Sequence, residues 1–359
     1  MINVTRTFLP PLQEYVGYLE KIWASGQITN NGQLLRELEQ RLKEFLGVKH
    51  LFLTANGTLA LQIALRAMDI KGKVITTPFS YVATTGALLW EHCEPVFVDI
   101  ESRDYCIDAG KIEAAITPET EAILAVHVYG NACDVSAIEA IARRNNLKVL
   151  YDAAHAFGSR LNGRSVASYG DAAALSFHAT KLFHAVEGGA VVTDNDELAR
   201  KIRLYRAFGH IGEDYFSPGI NAKNSELHAA MGLCVLPRVP DLIALRRELS
   251  MTYDALLQDL ALVRLRSTAP GLERNYAYYP VVFPSESFLL KAKATLESAD
   301  IVPRRYFHPP LNRLPYRRGE LCSVAEDVSA RVMCLPLSHE ITPSLQRKIA
   351  ELLRGSLAP

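Results

Sequence analysis

Between about residues 50 and 200, short apolar runs alternate with segments whose apolar positions recur every three or four residues. Runs of four to eight apolar residues with no polar face suit strands buried on both sides, and the amphipathic segments suit helices that cover them. This pattern predicts strands over 51–54, 74–77, 95–99, 122–129, 148–152, 172–177 and 189–193, and helices over 59–68, 81–92, 135–145 and 196–208. Alternation of this kind is the mark of an α/β architecture with a mostly parallel sheet between helices. Ahead of it, two amphipathic helices are expected over 12–25 and 34–46, joined by a polar turn from Gly26 to Gly32. After Pro218 the pattern changes. A long helical tract over 225–257 is interrupted by Pro237 and Pro240, followed by a strand-like run over 276–283, a helix over 287–299 and a proline-rich stretch over 303–315. The expected organisation is a large domain over 1–239, with the N-terminal helices, and a smaller C-terminal α/β domain over 240–359. No internal repeat or low-complexity tract interrupts it.

Composition narrows the class. Of 359 residues, 49% are hydrophobic and 22% charged, enough apolar material for a sizeable core and too much for general disorder. The formal net charge is zero and there is no basic run, which argues against nucleic acid as a partner. Six scattered cysteines form no C-x-x-C pair, so metal is not expected and the thiols read as reduced and packed. The opening residues lack a basic region followed by an apolar core, and no apolar run reaches the length of a membrane span. The expectation is a cytoplasmic protein with no membrane partner.

The candidate chemistry lies where strands end. Val149, Leu150 and Tyr151 run directly into Asp152, as a buried parallel strand does when it delivers a carboxylate to its C-terminal edge. Such an acid is costly to bury without a cationic partner. Farther on, Ser176 and the following apolar-flanked segment lead to Lys181, whose amine could condense with an aldehyde if desolvation lowered its pKa. A strand-end aspartate upstream of such a lysine is the pair that pyridoxal phosphate needs, one for its ring nitrogen and one for its aldehyde. The turn containing Asn56, Gly57 and Thr58 falls between a strand and a helix, where free N–H groups favour an anion; the plain alternative is an ordinary helix cap. Tyr81 could stack on an aromatic ring or simply close the core. Ser176 could bind a phosphate or end its strand, and His155 could meet the cofactor edge or be a packed histidine.

In their order along the chain, these motifs resemble the StrS/DegT-type nucleotide-sugar aminotransferases, enzymes of the PLP-dependent transferase fold type I. The resemblance covers nearly the whole chain and includes the Gly26–Gly32 turn, Asn56-Gly57-Thr58, Thr77 to Thr84, Pro95 to Asp99, Val126 to Gly130, Asp152 to Ala156, Ser176 to Lys181, Glu187-Gly188-Gly189 and Gly219-Ile220-Asn221. It implies pyridoxal 5'-phosphate as cofactor, with Lys181 condensing with it and shuttling protons. It also implies Asp152 on the pyridine nitrogen, Tyr81 stacked on the ring, and Gly57, Thr58 and Ser176 on the phosphate. Asn221 would reach the phosphate of a neighbouring subunit, making a homodimer with shared sites. Two departures stand out: Val186 where the family usually has glycine, and Ala222-Lys223 where an aromatic and arginine are usual. Lys181 excludes the family's dehydrating branch, which has histidine there. The opening residues 8–15, the turn 29–32 and the run 181–187 look most like members that aminate C4 of dTDP-4-keto-6-deoxyglucose with L-glutamate, for surface polysaccharide synthesis. The alternative is amination at C3 of a dTDP-3-keto-6-deoxyhexose.

Two other classes were weighed. A nicotinamide-dependent dehydrogenase shares the sheet but needs Gly-x-Gly-x-x-Gly after its first strand, and no such string occurs. A binding module on the same fold, without turnover, is disfavoured by the presence of both Lys181 and Asp152.

Overall fold

A computed structural model describes residues 1–265 and 269–357. The apolar runs become seven strands: β1 (His50–Thr54), β2 (Lys73–Thr76), β3 (Glu94–Phe97), β4 (Thr120–Val126), β5 (Lys148–Asp152), β6 (Ala172–Ser176) and β7 (Gly189–Thr193). Their spatial order is β1-β7-β6-β5-β4-β2-β3. Every neighbouring pair is parallel except the two made by β7, which runs antiparallel to both β1 and β6. The mostly parallel seven-stranded sheet is as expected.

Helices α1 (Leu12–Ser25) and α2 (Gln33–Leu46) precede the sheet, and α3 (Gly57–Ala67), α4 (Val82–Trp90), α5 (Val135–Asn145) and α6 (Asp196–Tyr205) follow individual strands. Both sheet faces are covered. Leu150 of β5 packs with Leu61, Ala64 and Leu65 of α3 in one cluster, while Val149 and Tyr151 join the larger cluster on the opposite face. That two-sided burial is why β5 reads as an unbroken apolar run. Side chains cap the helix starts: Asn56 accepts from Leu59 N–H at 2.9 Å, Asp134 from Ala137 N–H at 3.0 Å, and Asn195 from Leu198 N–H at 3.0 Å.

Several element boundaries differ from expectation, two of them for a local reason. The strand expected over 122–129 ends at Val126, because Val128–Gly130 forms a 3-10 turn with Tyr129 at a φ of 55°. There the Tyr129 hydroxyl donates to the carbonyl of Tyr306, which draws the ring into the core. The helix expected to reach residue 208 stops at Tyr205, where Phe208 and Gly209 have φ values of 62° and 75° and the Gly209 N–H caps the carbonyl of Leu204 at 2.8 Å.

The tract 225–257 divides at its prolines, as expected, into α7 (Glu226–Val235), a 3-10 turn holding Pro237, and α8 (Val239–Leu256) with Pro240 in its first turn. By length and composition this run could cross a membrane, but 56% of its most apolar window is buried inside the fold, and α7 packs on α1 and α2. Glu226 turns its carboxylate onto the start of α2, accepting from the N–H groups of Leu34 at 2.7 Å and Leu35 at 3.0 Å. Beyond α8, a three-stranded antiparallel sheet of β8 (Val263–Arg264), β9 (Tyr279–Val282) and β10 (Val332–Leu335) packs with α9 (Glu286–Ser298), α10 (Ser323–Arg331) and α11 (Pro343–Leu357). Its core, which includes Tyr253, Val281, Leu289, Met333 and Ile349, is separate from those of the large sheet. The short strand Ile2–Asn3 pairs with Ile301–Val302, so the chain's first residues join this second unit. All six cysteines are buried and unpaired.

Val186 carries a local strain. Its φ is 64°, a left-handed conformation, and its side chain is 42% exposed, so packing returns little for it. A branched Cβ in that region costs about 1–2 kcal/mol. The chain is held there from both sides, since Phe177 N–H bonds the Gly188 carbonyl at 2.7 Å and Ala185 N–H bonds the Phe177 carbonyl at 2.9 Å. Glycine relieves the strain and gives back part of the gain through a more flexible unfolded chain, leaving Val186→Gly more stable by about 1 kcal/mol. Denaturant titration checks this, and an unchanged or lower midpoint would contradict it.

Candidate active site

β5 lies between two parallel neighbours, and its last residue, Asp152, reaches the C-terminal edge with only 6% of its surface exposed. Two neutral donors satisfy the carboxylate. The buried Thr84 hydroxyl gives Oδ2 a hydrogen bond of 2.8 Å, and the Ala154 N–H gives Oδ1 one of 3.1 Å. Thr84 belongs to the first turn of α4 and is itself paired with the Ser80 hydroxyl at 2.7 Å, so the β2–α4 connection positions Asp152 from the side. Burial raises the carboxyl pKa above its ordinary value, while Thr84, Ala154 and the positive charge of Lys181 pull it back.

Lys181 comes from the segment that leaves β6. A tight turn fixes it: its N–H bonds the carbonyl of His178 at 2.9 Å, and His178 Nδ1 pairs with the Thr180 hydroxyl at 2.8 Å. Burial lowers the amine pKa below that of free lysine, and Asp152 opposes the shift by favouring the charged form. Among the described residues no carboxylate forms a direct ion pair with Lys181. The amine is therefore desolvated yet free to react, as a nucleophilic lysine must be.

At the other end of the site, β1 passes into α3. The Asn56 side chain is spent on capping, but the N–H groups of Gly57 and Thr58 lie in the first helical turn, where no intrahelical acceptor exists. Gly57 is required by close approach, because a Cβ there would stand 3.0 Å from the Ser176 Cβ. Gly189 is required more strictly: its Cβ would come within 2.5 Å of the Asn56 carbonyl. These contacts bring the Ser176 hydroxyl beside the helix N-terminus, and neither it nor the Thr58 hydroxyl bonds another described residue.

Apart from Thr84 and Gly189, which stand behind it, these groups line one cavity of about 510 Å3. Lys181, Asp152, Asn56, Gly57, Thr58, Tyr81, His155 and Ser176 all line it. Tyr81 is 58% exposed at its mouth, so the core alternative for that ring fails. His155 is buried, its ring stacked on Phe307 at 5.3 Å and edge-on to Tyr278 at 5.2 Å, and its Nδ1 has no partner. Burial, reinforced by the charge of Lys181, holds its imidazole well below the ordinary pKa, and it is neutral at physiological pH. An unpartnered buried ring nitrogen is costly unless a ligand meets it.

Asn221 is not brought into this cavity. It is exposed, its amide oxygen accepts from Lys223 Nζ at 2.8 Å, and it flanks the Ala222 carbonyl that bonds Ala55 N–H at 2.7 Å. Sequence reasoning missed Thr84 as the partner of Asp152, and missed the wall of Tyr278, Arg304, Tyr306 and Phe307. The only signal for that wall was the proline-rich stretch that begins at residue 303, and it marks a bend without saying what the bend faces.

The donor set fits a phosphorylated aromatic aldehyde with a basic ring nitrogen, which is pyridoxal phosphate. Unspent N–H groups and hydroxyls at one end of the cavity would suit an anion, the Asp152 carboxylate a protonated ring nitrogen and the desolvated Lys181 amine an aldehyde, and the His155 Nδ1 is without a partner.

The chain is similar to known proteins over nearly its whole length. The chain is 42% identical over 360 residues to a protein from Shigella dysenteriae named dTDP-4-amino-4,6-dideoxy-D-glucose transaminase, covering 98% of each chain. An Escherichia coli protein of the same name is 39% identical, with 99% of each chain covered. Among solved structures, DesI in the presence of its TDP-sugar product superposes with a TM-score of 0.93 at 34% identity, covering 98% of this chain and 92% of DesI. Helicobacter pylori PseC, an aminotransferase of pseudaminic acid biosynthesis, gives a TM-score of 0.92 at 27% identity, with 99% of each chain covered. With residues 12–354 matching its family model, this chain belongs to the DegT/DnrJ/EryC1/StrS aminotransferase family.

Proposed function

We propose that this protein is a pyridoxal-phosphate-dependent transaminase that moves the amino group of L-glutamate to C4 of dTDP-4-keto-6-deoxyglucose. The product is dTDP-4-amino-4,6-dideoxyglucose, made in the cytoplasm for surface polysaccharide. The observation that carries the reading is the meeting of Lys181 and Asp152 in one cavity with the free donors of Gly57, Thr58 and Ser176. The names of the Shigella dysenteriae and Escherichia coli relatives support the substrate. When bound, the cofactor supplies an aldehyde that accepts and returns the amino group and a protonated ring that draws electrons from the reacting carbon.

The chain's residues have separate tasks in this scheme. The Lys181 amine would hold the cofactor through its aldehyde and would serve as the acid–base group beside the reacting carbon. Asp152, whose carboxylate accepts from Thr84 and the Ala154 N–H, would hold a proton on the ring nitrogen. Gly57, Thr58 and Ser176 would hold the phosphate, with Asn56 fixing the turn, and Tyr81 and neutral His155 would flank the ring. Two units are proposed, 1–239 and 240–359, and in a homodimer Asn221 completes the phosphate site of the partner. Its exposed position outside its own cavity is consistent with that role. NMR of the product formed from dTDP-4-keto-6-deoxyglucose and glutamate tests the assignment, and an amine at C3, or no amine, would refute it.

Lys181→Ala is expected to abolish both transamination and the visible absorbance of the bound cofactor, since no other described amine lines the cavity. Wild-type turnover with the same spectrum would remove the basis of the cofactor assignment.

Asp152→Asn should keep the cofactor but lower turnover by several orders of magnitude, because an amide cannot hold the ring nitrogen protonated. In cofactor-free protein the same change should move the Lys181 pKa further down. The folded-state value already lies below that of free lysine through burial, and Asp152 is what favours the charged amine. Its removal makes the reactive neutral amine available at lower pH. Labelling of Lys181 across pH, read by mass spectrometry, should show the midpoint moving to lower pH; a midpoint that stays or rises speaks against through-space coupling.

Asn221→Ala should weaken pyridoxal phosphate binding without unfolding the chain, by about 1–3 kcal/mol for a lost hydrogen bond to an anion. Mixing it with Lys181→Ala provides the sharper measurement. In a shared-site dimer both lesions fall in one site and the other is whole, so activity reappears up to half per heterodimer. No recovery in a mixture verified to exchange subunits would rule out sharing.

A further inference from the structure

Two adjacent arginines on the C-terminal side of the cavity have different surroundings. The guanidinium of Arg305 donates to the Glu286 carboxylate at 2.7 Å and to the Ala330 carbonyl at 2.8 Å, both outside the cavity. Arg304 lines the cavity, and among the described residues no carboxylate pairs with it. Its guanidinium lies 6.0 Å over the Tyr306 ring, with the Tyr306 hydroxyl in hydrogen-bonding reach. The backbone beneath it is fixed. Arg304 N–H bonds the Cys334 carbonyl at 3.3 Å, and Cys334 N–H returns a bond to the Arg304 carbonyl at 2.8 Å, which pins Arg304 to β10.

The other titratable groups around the cavity either act on a neighbour or are neutral. Lys181 and Asp152 act on each other, His155 is neutral, and Glu187 faces His178 at 3.6 Å. Arg304 is the one guanidinium among the described lining residues. It is exposed, and a guanidinium presents paired donors that match carboxylate and phosphate oxygens.

We propose that Arg304 is the oxyanion-recognition residue of the cavity, binding either the carboxylate of the amino donor or the diphosphate of the nucleotide sugar. The proposal rests on the transaminase reading above. The cofactor phosphate is a separate matter, since its donors come from the start of α3 and the end of β6.

Equilibrium titration of the holoenzyme with glutarate, a dicarboxylate that cannot react, and separately with dTDP tests the proposal without turnover. Arg304→Gln should weaken one of the two by about 10- to 100-fold, the usual loss for a charge-assisted hydrogen bond. A loss confined to glutarate assigns the arginine to the donor, and a loss confined to dTDP assigns it to the nucleotide. Arg304→Lys should recover part of the affinity, because it keeps the charge without the fork. Arg305→Gln should leave both affinities unchanged, and all three variants should bind pyridoxal phosphate as the wild type does. Unchanged affinity for both probes in Arg304→Gln overturns the proposal, as does an equal loss in pyridoxal phosphate affinity, which would place Arg304 on the cofactor. Wild-type protein that binds neither probe overturns the transaminase reading and this proposal together.

Discussion

A carboxylate buried at the end of the central strand costs several kcal/mol unless its lone pairs are met and its charge is balanced. Much of the site follows from how Asp152 meets that demand. Thr84 and the Ala154 N–H fill the lone pairs with neutral donors, and Lys181 acts on the charge through space without closing an ion pair. The carboxylate's lone pairs are met by neutral donors, and its charge is left without a direct cationic partner among the described residues. The same field limits how far burial can depress the Lys181 amine. The two residues set each other's proton affinity, and the protein needs both in place before either is useful.

A direct ion pair occurs elsewhere and serves a different end. Arg206 and Glu39 are joined in the interior, and each also bonds the backbone of Leu53, Glu39 through its N–H at 2.8 Å and Arg206 through its carbonyl at 2.8 Å. The pair clamps α2 and the end of α6 onto β1. Glu226 does similar work on the first turn of α2. Charges that hold the frame are closed by partners within the chain, whereas Lys181 and Arg304 at the cavity form no ion pair among the described residues.

The sheet was legible because strands buried on both faces carry an unbroken apolar signal, and β5 and β7 match their expected limits to the residue. Asp152 and Lys181 were legible for a related reason, since a polar residue ending or following an apolar run is conspicuous. Thr84 was not, because a lone threonine in a helix looks the same whether its hydroxyl meets a carboxylate or its own backbone. The wall of Tyr278, Arg304, Tyr306 and Phe307 is made by packing between distant segments, and no local period encodes it. Tyr129 shows the same limit: its strand should have continued, and a bond to the carbonyl of Tyr306 turned it inward. Val186 was visible as a departure, but only the backbone angle explains why glycine suits that position.

The placement of β7 has a consequence for how the protein is made. β1 is the first sheet strand to leave the ribosome, yet its one neighbour in the sheet is β7, where Thr54 pairs with Gly189. At about 5–20 residues per second, the intervening chain takes on the order of ten seconds to emerge. Through that interval β1 carries an unpaired edge, a hazard for association with other nascent chains. The turn at Asn56 and Gly57 packs against Gly189 only when the wait is over. A chain truncated before β7 retains the first six strands of the sheet in sequence, but β1 is left without its one neighbour.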